Sequence, residues 1–199
     1  MSATSAPADL LTSGRDDGRG GSRRRRAVTV LVVLLVVGAV AAERWESDRQ
    51  RDALLDAAVA AEAVVQDARR STTGMVQYTG SLLARPDLDV AQRTAVLDSL
   101  AVDARRFPPR IAEHRAAVAQ VRPLPWDEDL ADARAAVLAR IDAWTAFLDS
   151  TAQQPETLLF ERRATRPARE QAAQALAGLG DPRGDQLVER LLDEPFRRR

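Results

Sequence analysis

The chain contains no cysteine and no lysine, a single histidine (His114), a single tyrosine (Tyr78) and four phenylalanines. Each scarcity removes a class of chemistry. Without cysteine there is no disulfide scaffold, no thiolate zinc site and no thiol nucleophile. Without lysine there is no Schiff-base amine, and one imidazole cannot build a multi-histidine metal centre. Strand-forming aromatics are few and alanine fills 37 of the 199 positions, which disfavours a β-rich fold. What remains is a helical composition in which all 29 basic residues are arginine, balanced by 29 acids.

The balance hides an asymmetry. Residues 1–26 carry six arginines and three aspartates, whereas residues 43–199 carry 23 arginines and 26 acids. Between them Ala27–Ala42, AVTVLVVLLVVGAVAA, has no charge in sixteen residues. As a helix this run spans about 24 Å, slightly short of a hydrocarbon core of about 30 Å. Arg23, Arg24, Arg25 and Arg26 abut one end and Trp45 follows the other. A snorkelling arginine and an interfacial tryptophan are suited to flank such a span. The run therefore reads as a transmembrane helix with the membrane lipid bilayer as its partner. The excess of arginine before it puts the N-terminus in the cytoplasm and the rest outside.

A cleaved signal peptide is the rival reading. Ala39-Val40-Ala41 fits a small-residue cleavage site, with Gly38 just ahead of it, but a basic region of 26 residues is long for a signal. Ser22-Arg23-Arg24 also matches a twin-arginine export pattern, which a run of four arginines does cheaply. The uncleaved anchor is preferred. The Ser-, Ala-, Gly- and Pro-rich residues before the run read as part of a disordered basic tail over 1–26.

Beyond the run, apolar spacing predicts helices. Leu54, Ala58, Ala61, Val65, Ala68, Thr72, Met75, Thr79 and Leu82 alternate steps of four and three, so they share one helix face. That helix is expected to begin near Glu43 and to stop before Arg85-Pro86. Gly74 and Gly80 fall inside it and are expected to permit close packing or a bend. A second helix is predicted over Val90–Arg106, capped by Asp89 with Gln92, with Val90, Leu97, Leu100, Ala104 and Phe107 as its stripe. A third restarts at Pro108-Pro109 and buries Ile111, Val118 and Val121. Asp127 opens a fourth with the stripe Leu130, Arg134, Val137, Ile141, Trp144 and Leu148. A fifth begins at Pro155-Glu156 and is interrupted at Pro167. Asp181-Pro182 starts a last helix with Leu187, Leu191 and Leu192 on one face. The fold class is all-α: one N-terminal transmembrane helix, then an extracytoplasmic antiparallel helical bundle over 43–195 with a long first helix. A basic tail, 196–199, closes the chain.

Chemistry-bearing groups are sparse. His114 lies between Glu113 and Arg115, and neighbours in sequence do not face each other on a helix. Asp127, Glu128, Asp129 and Asp132 form the densest acidic cluster, and acids in a first helical turn are explained by the helix dipole. Calcium-loop, phosphate-loop, dinucleotide, serine-elbow and paired-histidine zinc patterns are all missing. No catalytic residue, cofactor or metal site is expected. Nucleic acid is disfavoured as a partner, because the outer part is net negative and its arginines, including Arg69-Arg70, Arg105-Arg106 and Arg162-Arg163, are interleaved with acids. Such pairs are expected to be solvated or ion-paired.

The expected function is a non-enzymatic interaction or scaffold component of a bacterial cell envelope, with an envelope protein or a second copy as partner. The alternatives are a sensor-like ligand-binding ectodomain and a soluble exported domain freed near Ala41. The layout resembles the helical ectodomains of bacterial membrane receptors in architecture, without a shared motif. The sequence shows neither a second span nor a cytoplasmic signalling domain, so any signal is expected to pass through a partner.

Overall fold

The computed structural model describes residues 18–155, 157 and 161–192, with side chains from residue 28 onward apart from 83 and 162. Among the described residues six helices follow one another: α1 (Gly18–Leu83), α2 (Val90–Ala104), α3 (Pro108–Gln120), α4 (Glu128–Gln153), α5 (Glu161–Gly178) and α6 (Pro182–Leu192). Among the described residues no strand forms. The chain divides into two compact units, Met1–Trp45 and Glu46–Arg199.

In the first unit the backbone is helical from Gly18, so residues 18–26, read above as unstructured tail, belong to α1. Residues 1–17 lie outside the described part. By length and composition, the helix that carries the apolar run is a candidate to cross a membrane. Its large side chains, Val28 and Val30–Val37 together with Val40, are each 46–66% exposed, so all faces of the run are open.

The second unit is built around the alternating seam. Leu54, Ala58, Ala61, Val65, Ala68 and Thr72 are all buried, as the spacing requires, and Leu55 and Val64 join them. The small α1 residues are matched by large ones from elsewhere: Ile111 and Val118 of α3, Leu130, Ile141, Trp144, Phe147 and Leu148 of α4, Leu176 of α5, Leu187 and Leu191 of α6. The Trp144 and Phe147 rings meet edge to face at 5.4 Å, a favoured aromatic geometry.

Cross-helix bonds fix the directions. Arg110 of α3 reaches Asp67 while the Arg122 amide beyond its end donates to Gln50, so α3 runs opposite to α1. Ser47 pairs with Asp127 and Glu62 with Arg140, so α4 runs with α1. Arg69 with Glu161 and Arg51 with the Leu179 carbonyl set α5 against it. Arg183 of α6 binds Asp52 and Asp56, linking the last helix to the first turns of the unit.

Local signals define most ends. Asp89 and Gln92 make the reciprocal capping box at α2. Asp127 accepts the Leu130 amide to cap α4, and prolines occupy the first turn of α3. Gly180 adopts φ +63°, the left-handed conformation that ends α5 before Asp181-Pro182 begins α6.

Several expectations need correction. The α5 helix starts at Glu161, after a short 3-10 turn around Pro155 and Thr157, and it continues through Pro167. Pro167 is exposed and falls within the first two turns of α5, where it removes one helical hydrogen bond. Val90 is 82% exposed, because the first turn of α2 projects beyond the core, and Leu192 is exposed at the end of α6. Gly74 and Gly80 permit no close approach: a Cβ at either would meet nothing within 4 Å. The close contact belongs to Gly184, where a Cβ would stand 3.1 Å from the Leu176 carbonyl oxygen. The tail 196–199 lies outside the described residues.

Candidate functional site

The residues singled out by sequence do not converge on a reaction centre. Arg23, Arg24, Arg25 and Arg26 are on the helical backbone of α1, with side chains outside the described set. Trp45 closes the first unit and is largely exposed. His114 is half-buried on α3, and no carboxylate orients it among the described residues. The neighbouring Arg115 is committed elsewhere, donating twice to the Asp142 carboxylate at 2.6 and 3.1 Å.

The acidic cluster is structural in geometry. Asp127 spends one carboxylate oxygen on the Leu130 amide and the other on the Ser47 hydroxyl. Glu128, Asp129 and Asp132 point to solvent. Among the described residues no group of three histidine, aspartate or glutamate side chains is placed to hold a metal. Together with the Arg122 amide donating to Gln50 at 3.0 Å, the Ser47–Asp127 bond ties the proline-stiffened connector 121–127 to the opening turns of the unit.

A different constellation is more unusual, and it was not anticipated. Glu62, Arg69, Arg140 and Arg169 are all buried in a helical core. Arg140 Nη2 is 3.4 Å from Glu62 Oε1, and its guanidinium carbon is 5.6 Å from the centre of the Trp144 ring. Arg69 Nε is 3.8 Å from Glu161 Oε1. Burial pulls the Arg140 guanidinium below the usual arginine range. The Glu62 carboxylate opposes that shift, and the like charges of Arg169 and Arg69 add to it. Thus Arg69 and Arg140, each beside a glutamate, lie close to the buried Arg169. Arg69 Nη1 and Arg140 Nε and Nη1 have no hydrogen-bond partner.

Arg69 is ion-paired, as expected of such arginines, but the pair lies in the core rather than at the surface. The sequence signal was present but ambiguous. Arg140 stands three residues after Val137 and four before Trp144, and Glu62 four after Ala58, so both share the apolar faces.

Beside this cluster a groove of about 750 Å³ follows α1 from Val59 to Gln77 and is closed on one side by α6. Its charged lining is Glu62, Arg69, Arg70 and Arg190, an excess of positive charge. Arg70 and Arg190 are exposed, and among the described residues neither makes an ion pair. Such a groove can hold an anion by guanidinium hydrogen bonds; it offers neither a nucleophile with a base nor an oxyanion hole. Comparison with family models, with curated proteins and with solved structures finds no match for this chain.

Proposed function

We propose that the chain is a non-enzymatic, single-pass membrane protein of a bacterial cell envelope. Residues 27–42 are its uncleaved anchor, its N-terminus is cytoplasmic, and the unit from Glu46 onward is an extracytoplasmic antiparallel helical bundle that docks a partner. The observation that carries the reading is the open apolar run. Ten large aliphatic side chains between Val28 and Val40 are about half exposed, with no packing partner among the described residues. Leaving that surface in water costs on the order of 10 kcal/mol relative to an apolar surrounding. The arginine excess before the run supports the orientation. The engagement of Asp127 in capping and the unsupported His114 favour binding over catalysis.

The test is the intact mass of native protein after separating membrane and soluble fractions. The full-length 21.7 kDa species in the membrane fraction is the expected result. A soluble species beginning near Ala42 would replace this reading with that of an exported domain. Sidedness follows from Ser99→Cys, an exposed position in a chain without other cysteines. An impermeant maleimide should label it in intact cells, and labelling only after lysis would reverse the orientation.

The groove favours a second reading, a ligand-binding ectodomain.

A further inference from the structure

We infer that the groove along α1 is a binding site for a small organic oxyanion, a carboxylate or phosphate carried on an apolar body. The site lies wholly within the unit from Glu46 onward and is present with or without the anchor. Three observations converge on it. Arg69 lines the groove, is only 6% exposed, and keeps Nη1 without a partner. The buried positive charge of Arg69 favours an anion in the groove beside it. Arg70 from α1 and Arg190 from α6 add two cations, one from each wall, that pair with no acid among the described residues. Val59, Ala63 and Leu187 supply an apolar floor beside them.

Size and lining separate the occupants. At about 750 Å³ the groove falls within the range of small-molecule sites. A partner helix would need apolar anchors at helical spacing along the groove, whereas most of the described lining is polar or charged. Charge excludes a cation, since Glu62 is the one acid in the lining and Arg140 already holds it. A lipid headgroup and a free metabolite share the required chemistry, a phosphate or carboxylate on an apolar body.

The experiment uses the full chain in neutral phosphatidylcholine nanodiscs, with phenyl phosphate as probe. Inorganic phosphate supplies the head alone and phenol the body alone. Binding is read by calorimetry and by the guanidinium NMR signals of Arg70 and Arg190. Phenyl phosphate should bind more tightly than either fragment. It should weaken at least tenfold in Arg70→Gln/Arg190→Gln and stay unchanged in Arg93→Gln, an exposed arginine elsewhere. Both substituted positions are exposed, so the fold is retained. Nanodiscs containing phosphatidylglycerol distinguish the source. If a lipid headgroup fills the groove, they shift the two arginine signals without added probe and block phenyl phosphate. If the ligand is a free molecule, the probe binds equally in both. Equal loss in Arg93→Gln, or no binding of phenyl phosphate in either nanodisc, would overturn the inference.

Discussion

Glu62 and Arg140, 78 residues apart in sequence, meet in the core at 3.4 Å with 6% and 3% of their surfaces exposed. Two charges withdrawn from water interact strongly but lose hydration, and the pair is stable only while both members are present. Glu62→Ala should therefore destabilise the protein by about 3–5 kcal/mol, because Arg140 is left charged, buried and unpaired. The double variant Glu62→Ala/Arg140→Met should recover most of that loss. Urea unfolding of the two variants is the measurement, and equal stability of the single and double variants would show that the pair is not coupled. Burial pulls the folded pKa of Arg140 below the usual arginine range. The folded state binds that proton less tightly, so stability from this group rises only as pH climbs through the far-alkaline range.

Asp127 performs two tasks, capping α4 and accepting the Ser47 hydroxyl. Asp127→Ala removes both and should cost about 1–2 kcal/mol, whereas Asp127→Asn retains an acceptor for the cap and should cost less. Ser47→Ala should cost about 0.5–1.5 kcal/mol, the net worth of one hydrogen bond. Denaturation midpoints rank the three, and an Asn variant as unstable as the Ala variant would argue that charge, not capping geometry, is what matters there.

Glycine substitutions should change sign along the chain. Gly74 and Gly80 stand in helix with open space where a Cβ would go. Their replacement by Ala should stabilise by about 0.5–1 kcal/mol each, by reducing the freedom of the unfolded chain. Gly184→Ala forces a methyl to 3.1 Å from the Leu176 carbonyl, on a helix backbone with little room to yield. A loss of about 1–3 kcal/mol is expected, as for other overpacked sites. Thermal unfolding of the three variants decides it, and stabilisation by Gly184→Ala would mean that α5 and α6 slide apart freely.

These positions also show what a one-dimensional reading can reach. The seam Leu54–Thr72, the Asp89/Gln92 box and the Asp127 cap are local, set by residues three or four apart, and they were legible from spacing alone. Arg140 was not. An arginine beside an apolar stripe can snorkel to water or turn inward, and only Glu62 on a distant helix decides which. The groove was illegible for the same reason, since Arg70 and Arg190 come from opposite ends of the unit. Pro167 misled because the helix continues through it on an exposed face, so local propensity was overridden.

Acid titration should reveal the Arg85–Asp87 fork that follows α1. The Arg85 guanidinium donates to both Asp87 oxygens, at 3.1 and 2.7 Å, and holds that carboxyl below its usual value of 3.8. A depressed carboxylate contributes stability above its unfolded pKa and loses it as pH falls through the lower folded value. The pair is exposed, so its effect should be confined to the turn. Carbon-detected NMR should place Asp87 below 3.8 in the native chain and return it towards that value in Arg85→Gln. An unmoved resonance would assign the depression to the backbone instead.

The clasp between Arg183 and Asp52 spans 131 residues. At about 5–20 residues per second a ribosome needs on the order of 10 s to make that stretch. Throughout that interval Leu55, which the last helix covers at Gly184, has no lid, and Ala58 and Ala61 await Leu187 and Leu191. The nascent chain thus carries an open apolar stripe until its final helix emerges, so its biogenesis depends on whatever shields that stripe in the meantime.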